Sequence, residues 1–290
     1  MTPAAARTRI TAAFTEAGLT GHLHARDIDT GDQLGTGADT PVATASVHKL
    51  CLVATLYRQA SLGHLDPTRP VDIPAENRTP GVTGLAVMRD AARLSLRDLA
   101  HLTIALSDNT AADLLWDAVG RDTVNTTMAG LGLRRTIAVH TMRELYETLR
   151  EDAAGDPTTY TDPTAVTRLR ALDPTRTNRS TARDITALLT AIWRDELCAG
   201  PWGEELRAVL GVQAWTHRLA SGFPFDDVRV SGKTGSLPTL RHEAGVVEYP
   251  DGGRYAVAVF TRAAATTMTL PAADAAIGRA ARIAVDALRA

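Results

Sequence analysis

A chain of 290 residues that is 44% hydrophobic and 22% charged can bury a substantial core and has the make-up of a soluble globular protein. Its net charge of −2 gives no electrostatic ground for nucleic acid or an anionic membrane as partner, and no apolar stretch reaches the length of a membrane span. Cys51 and Cys198 alone make no disulfide framework, and His242-Glu243 has Val246 where a metal-binding helix needs its second histidine, so neither a metal nor another cofactor is expected.

Residues 4–17 have the spacing of an amphipathic helix that stops at Gly18. The N-terminus lacks the apolar region and cleavage site of an export signal, so the sequence as it stands reads as cytoplasmic, or as exported if a leader has been removed. Residues 20–28 and 33–37 read as strands joined by the turn Asp29-Thr30-Gly31-Asp32. Residues 50–57 are apolar nearly all round, which marks a helix buried on every side, closed by Gly63 in a left-handed cap. Four prolines between 64 and 82 leave that stretch a loop. Ser95-Leu96-Arg97-Asp98 is a capping pattern that opens a helix. The helix breaks at Ser107-Asp108-Asn109, Thr110-Ala111-Ala112-Asp113 caps the next one, and Gly120 ends it. Residues 121–176 carry little periodicity apart from a helix at 141–152. Thr181-Ala182-Arg183-Asp184 caps a helix with Ile185, Leu188, Leu189, Ile192 and Trp193 on one face. From 228 the period becomes two, with strands over 228–236, 241–249 and 254–261. The last strand is apolar on both faces, so helices should cover both sides of its sheet. Pro271 opens a terminal helix.

This order predicts an α/β fold of the α+β type: a five-stranded antiparallel sheet built from both chain ends, flanked by terminal helices, with an all-helical lobe inserted. Residues 1–40 and 195–290 are expected in the sheet lobe and 41–194 in the helical lobe, with a cleft between them.

Three short motifs fall where that cleft should lie. Ser46 and Lys49 stand three residues apart at the head of the buried helix, so the amine is expected to reach the hydroxyl. The free N–H groups of a helix start favour the negative charge of a forming alkoxide. Of 31 basic residues only Lys49 and Lys233 are lysines. The 29 arginines keep their protons in a protein, whereas a desolvated lysine can lose its own. Ser107-Asp108-Asn109 sits in the bend between two helices. Lys233-Thr234-Gly235 lies on a strand, and it is no phosphate loop, because Asp227 stands where such a loop needs glycine.

Ser-x-x-Lys, Ser-Asp-Asn and Lys-Thr-Gly in this order resemble the serine β-lactamase and DD-peptidase (penicillin-binding protein) superfamily, class A most closely, from about residue 20 to 290. The flanking runs Asn109-Thr110-Ala111-Ala112-Asp113-Leu114-Leu115 and Ser231-Gly232-Lys233-Thr234-Gly235-Ser236 agree. The resemblance implies that Ser46 attacks a carbonyl carbon and that Lys49 takes its proton, directly or through water. It implies that Ser107 relays a proton to the leaving group, held by Lys49 and Lys233. Asn109 would bind a substrate side-chain amide. Lys233 and Thr234 would receive a substrate carboxylate, with Arg241 nearby, Gly235 and Ser236 would also line the substrate site, and the N–H groups of Ser46 and Ser236 would form the oxyanion hole.

One part of the class A pattern is missing. The glutamate that activates water for deacylation, followed at short spacing by leucine and asparagine, has no match. Glu144 lies about where it should, but Glu147 and Thr148 follow it, and the segment reads better as a helix. The expected partner is therefore a small molecule, a β-lactam, peptide or ester, met by a monomer. The expected activity is a β-lactamase-like serine hydrolase. Alternatives are a DD-peptidase-like or biosynthetic acyltransferase that deacylates slowly, and a non-catalytic β-lactam sensor.

Overall fold

A computed structural model describes residues 1–290. The chain opens with α1 (Pro3–Glu16), whose first turn is held by the Thr2 hydroxyl accepting from Ala5 N and by Pro3. Strands β1 (Leu19–Asp27) and β2 (Gln33–Thr36) follow, joined by a turn in which Asp27 accepts from Asp29 N and Thr30 N. After the short β3 (Val42–Ala43) comes a 3₁₀ turn, Ala45–His48, and then α2 (Lys49–Ser61). Every residue from Lys49 to Tyr57 is buried, in keeping with the nearly all-apolar run over 50–57, and Gly63 closes the helix at φ +73°.

The stretch expected to be a loop contains β4 (Pro70–Ile73), which pairs with β5 (Ala92–Ser95). Pro70 is tolerated because it is the strand's first residue. Ser95 caps α3 (Leu96–Ala105) by accepting from Asp98 N, as the sequence pattern predicts. The cap of α4 (Asn109–Val119) differs from expectation: Asp108 performs it, accepting from Ala111 N. The helix α5 (Arg121–Gly130) lies in a Thr-rich stretch that carries little periodicity. Thr141 and Glu144 form a complete capping box on α6 (Met142–Asp152). The remaining elements are β6 (Arg179–Ser180), α7 (Ala182–Trp193), α8 (Pro201–Leu210), β7 (Arg229–Leu237), β8 (Leu240–Glu248), β9 (Arg254–Ala263) and α9 (Pro271–Leu288). No helix is long and apolar enough to cross a membrane.

The main sheet is antiparallel in the order β2-β1-β9-β8-β7. β9 shows why it is covered on both sides. Ala256, Ala258 and Phe260 enter a core of 49 residues shared with α2, α4 and α7, while Tyr255, Val257 and Val259 enter a core of 22 residues built with α1 and α9. A period of two that is apolar at every step is buried on both faces. β7 is left at one edge of the sheet, beside the 3₁₀ turn that carries Ser46.

Asp113 ties α4 to the start of α6. Its carboxylate accepts from Met142 N, Arg143 N and the Thr79 hydroxyl. Burial pushes the carboxyl up, and these three donors pull it back down. Asp113→Ala leaves all three donors without an acceptor and is expected to cost about 3 kcal/mol of stability. Urea unfolding of the two proteins checks this, and an equal midpoint would show that α6 is anchored by other contacts.

Candidate active site

Ser46 lies within the 3₁₀ turn, and the α-helix proper begins only at Lys49. The turn is entered through Ala45 in a left-handed conformation, φ 46°, and Ser107 is likewise left-handed at φ 58°. Such geometry in non-glycine residues costs free energy that surrounding contacts have to offset, and it concentrates at functional sites. Gly235 of β7 explains how close the two walls come. A Cβ there would stand 2.9 Å from Thr44 O and 3.0 Å from Val47 N, so only glycine lets the strand meet the turn.

Ser46, Ser107, Asn109, Thr234, Gly235, Ser236 and Arg241 all border one cleft of about 690 Å³. Lys49 and Lys233 lie behind its wall, 1% and 0% exposed. Lys49 Nζ donates to Ser107 O at 2.6 Å and to Asn109 Oδ1 at 2.7 Å, and it lies 3.3 Å from Ser107 Oγ. The expected bond from Lys49 to Ser46 is not formed. The acceptors clustered where α3 bends into α4 draw the amine across the cleft floor instead. Burial lowers the Lys49 pKa to about 7, against the opposing pull of the Asp108 and Asp113 charges.

Lys233 Nζ donates to Thr234 O at 2.9 Å. Burial first, and then the charge of Lys49, holds its pKa well below the usual lysine range, with Glu243 pulling the other way. Asn109 has both ends of its amide committed, Oδ1 to Lys49 and Nδ2 to Pro80 O at 2.7 Å. Asp108 faces away from the cleft and accepts from Ala111 N and Leu85 N.

At the β7 end the cation nearest Ser236 is Arg218, which the sequence reading did not single out. Its Nη2 donates to Ser236 Oγ at 2.8 Å, its Nη1 to Gly235 O and His242 O, and its Nε to Asp274 Oδ1 at 2.6 Å. Arg241 also borders the cleft, but its guanidinium is spent on the carbonyls of Leu237, Leu240 and Met268. Arg218 lies in the irregular stretch between α8 and β7, where no periodicity marks a position as inward-facing.

Glu144 does not border the cleft. One carboxylate oxygen accepts from Thr141 N in the capping box and the other pairs with Arg121 at 3.2 Å. The face of α6 that reaches the cleft presents Tyr146 and Leu149, joined there by Tyr160. Asp274 is the single carboxylate residue on the cleft lining, and it is held by Arg218.

A family model described as "Beta-lactamase enzyme family" matches residues 5–288. A beta-lactamase regulatory protein, BlaB of Streptomyces cacaoi, is 35% identical over 297 residues, covering 96% of this chain and 95% of that protein. Among solved structures, a beta-lactamase from Sphaerobacter thermophilus superposes with a TM-score of 0.81 at 27% identity, over 99% of this chain and 98% of that one. PBP-A superposes with a TM-score of 0.79 at 19% identity, over 98% of this chain and 96% of that one, a likeness of fold alone.

Proposed function

The chain belongs to the beta-lactamase enzyme family, and on that premise we propose that Ser46 is the nucleophile of a β-lactamase-like serine hydrolase that opens a β-lactam or a related amide or ester. The observation that carries this reading is the buried Lys49 amine, with a pKa near neutrality, bonded to the Ser107 segment in the same cleft as Ser46.

Ser46 Oγ forms the new bond to the carbonyl carbon, and its proton passes to neutral Lys49 by way of a bridging water. The oxyanion settles between the backbone N–H groups of Ser46 and Ser236. As the carbon–nitrogen bond breaks, Ser107 gives its hydroxyl proton to the leaving nitrogen and regains one from Lys49. A substrate carboxylate lies at the β7 end, where Arg218 supplies positive charge and Ser236 a hydroxyl donor. The product of these steps is an ester on Ser46.

A second reading is favoured by the cleft lining, which offers no carboxylate free to activate water. On that reading the ester persists, and the protein captures a β-lactam once, as a sensor does, or passes the acyl group on slowly. The regulatory name of the Streptomyces cacaoi relative is in keeping with it.

Intact-protein mass spectrometry over time after adding penicillin G tests both readings. A single adduct that maps to Ser46 and is lost in Ser46→Ala supports acyl transfer. Its lifetime separates turnover from capture. No adduct with any β-lactam would sink the proposal.

A further inference from the structure

Glu243 on β8 is 1% exposed, and neither the motifs nor the acylation steps use it. It is the register partner of Thr234 on β7 and of Val259 on β9, and directly opposed residues share a face of the sheet. Glu243 therefore sits on the α1/α9 side, with Val259, and away from the face of Lys233, whose partner is Ala244.

Both of its carboxylate oxygens accept hydrogen bonds. Oε2 takes Leu219 N–H at 2.6 Å and Oε1 takes Gln213 Nε2 at 2.8 Å. The second bond fixes which way round the Gln213 amide lies. Gln213 Oε1 is then turned to Thr234, where it accepts from the backbone N at 2.9 Å and from Oγ1 at 3.0 Å. The Thr234 hydroxyl hydrogen is thereby committed to Gln213, so its oxygen has only lone pairs left for the cleft. Ser236 is the opposite case. Its oxygen accepts from Arg218, which leaves its own hydrogen free to donate.

We propose that Glu243 is a positioning residue. Acting through Gln213, it clamps the free edge of β7 and turns the Thr234 hydroxyl into an acceptor, so that the hydroxyl donated to a substrate carboxylate is that of Ser236. Burial outweighs the Leu219 N–H bond and the charges of Arg218 and Lys233, which favour the ionised form that the clamp uses, and leaves the Glu243 carboxyl raised to about 7. The clamp concerns the Ser46 reading only where substrate binding is at stake, since the bonds that hold Thr234 exist without substrate.

Two readouts of Glu243→Gln test this. A glutamine offers one acceptor where the carboxylate offers two, so either Leu219 N–H or Gln213 loses its partner. Hydrogen exchange at the Thr234 amide is expected to quicken ~10-fold, the size of one charge-assisted bond, with its β8 neighbours unchanged. With its hydroxyl hydrogen released, Thr234 can donate to a carboxylate beside Ser236, so the concentration of penicillin G that half-saturates acylation is expected to fall ~10-fold with the limiting rate constant held, while penicillin G methyl ester, which has no carboxylate, shows no such fall. Gln213→Ala, at a half-buried loop position, should reproduce both effects and guards against misfolding of the Glu243 variant. Unchanged exchange at Thr234 in both variants overturns the clamp. Faster exchange with equal shifts for acid and ester, or with weaker saturation by the acid, overturns the positioning role. If the native protein takes up neither compound, the Ser46 reading and the positioning role fall together, and exchange at Thr234 still decides whether Glu243 holds the strand.

Discussion

Lys49→Ala is expected to slow acylation of Ser46 by ~10²–10⁴-fold, the contribution of a well-placed general base. The amine donates to three acceptors, Ser107 O, Asn109 Oδ1 and, at 3.3 Å, Ser107 Oγ, so what favours its neutral form is burial. Burial opposes a charge there, and a second buried amine, Lys233, shares the site and is itself depressed by Lys49. The sign of the pH dependence follows. Below about 7 the Lys49 amine carries its proton and takes none from Ser46; above it the amine is free, so the acylation rate rises from pH 5 to pH 8 and then levels. Lys49→Arg should be as slow as the alanine variant, because a guanidinium keeps its proton throughout this range. Stopped-flow acylation at several pH values checks both points. A flat profile in the native protein would remove Lys49 as the base, whatever the variants do.

The residues that made the fold legible are those whose neighbours leave no choice. The run from Lys49 to Tyr57 has no polar stripe to turn toward water, and β9 has no polar alternate, so each had to lie between two layers. The three motifs were legible for the same reason: a lysine kept twice among arginines, and a serine at a helix head, are unusual wherever they sit. What stayed hidden depends on distant parts of the chain. Pro70 hides β4 until β5 pairs with it, and α5 draws its burial from α2 rather than from any periodicity of its own. The bond partner of Lys49 depends on the left-handed Ser107, which places a carbonyl where no spacing rule puts one. Arg218 and Gln213 belong to an irregular segment whose path is fixed by Glu243 and Asp274, far off in sequence. His242-Glu243 was legible only as a failed metal motif, and the sheet register is what turns Glu243 toward Gln213.

The acyl-enzyme is expected to outlive its formation by orders of magnitude, and a carboxylate placed on α6 is expected to shorten its life. Hydrolysis of an ester on Ser46 needs a water held and deprotonated near the carbonyl. The Tyr146, Leu149 and Tyr160 wall is apolar over most of its surface, and the Tyr160 hydroxyl is already spent on Leu149 O. Glu144 is equally spent, on Thr141 N and Arg121, at the far end of the same helix turn. Such a wall keeps water out as readily as it receives an acyl side chain, so both effects lengthen the ester's life. Tyr146→Glu puts an ionisable group into that wall at a half-buried site, where desolvation raises its pKa toward the range of a working base. Deacylation of the penicillin G adduct should then quicken by ~10²-fold while acylation changes little. Following the adduct mass after removal of free penicillin measures this directly. An adduct lost from the native protein within seconds would mean that a base already serves the cleft, and Asp274, released from Arg218, would be the first residue to replace.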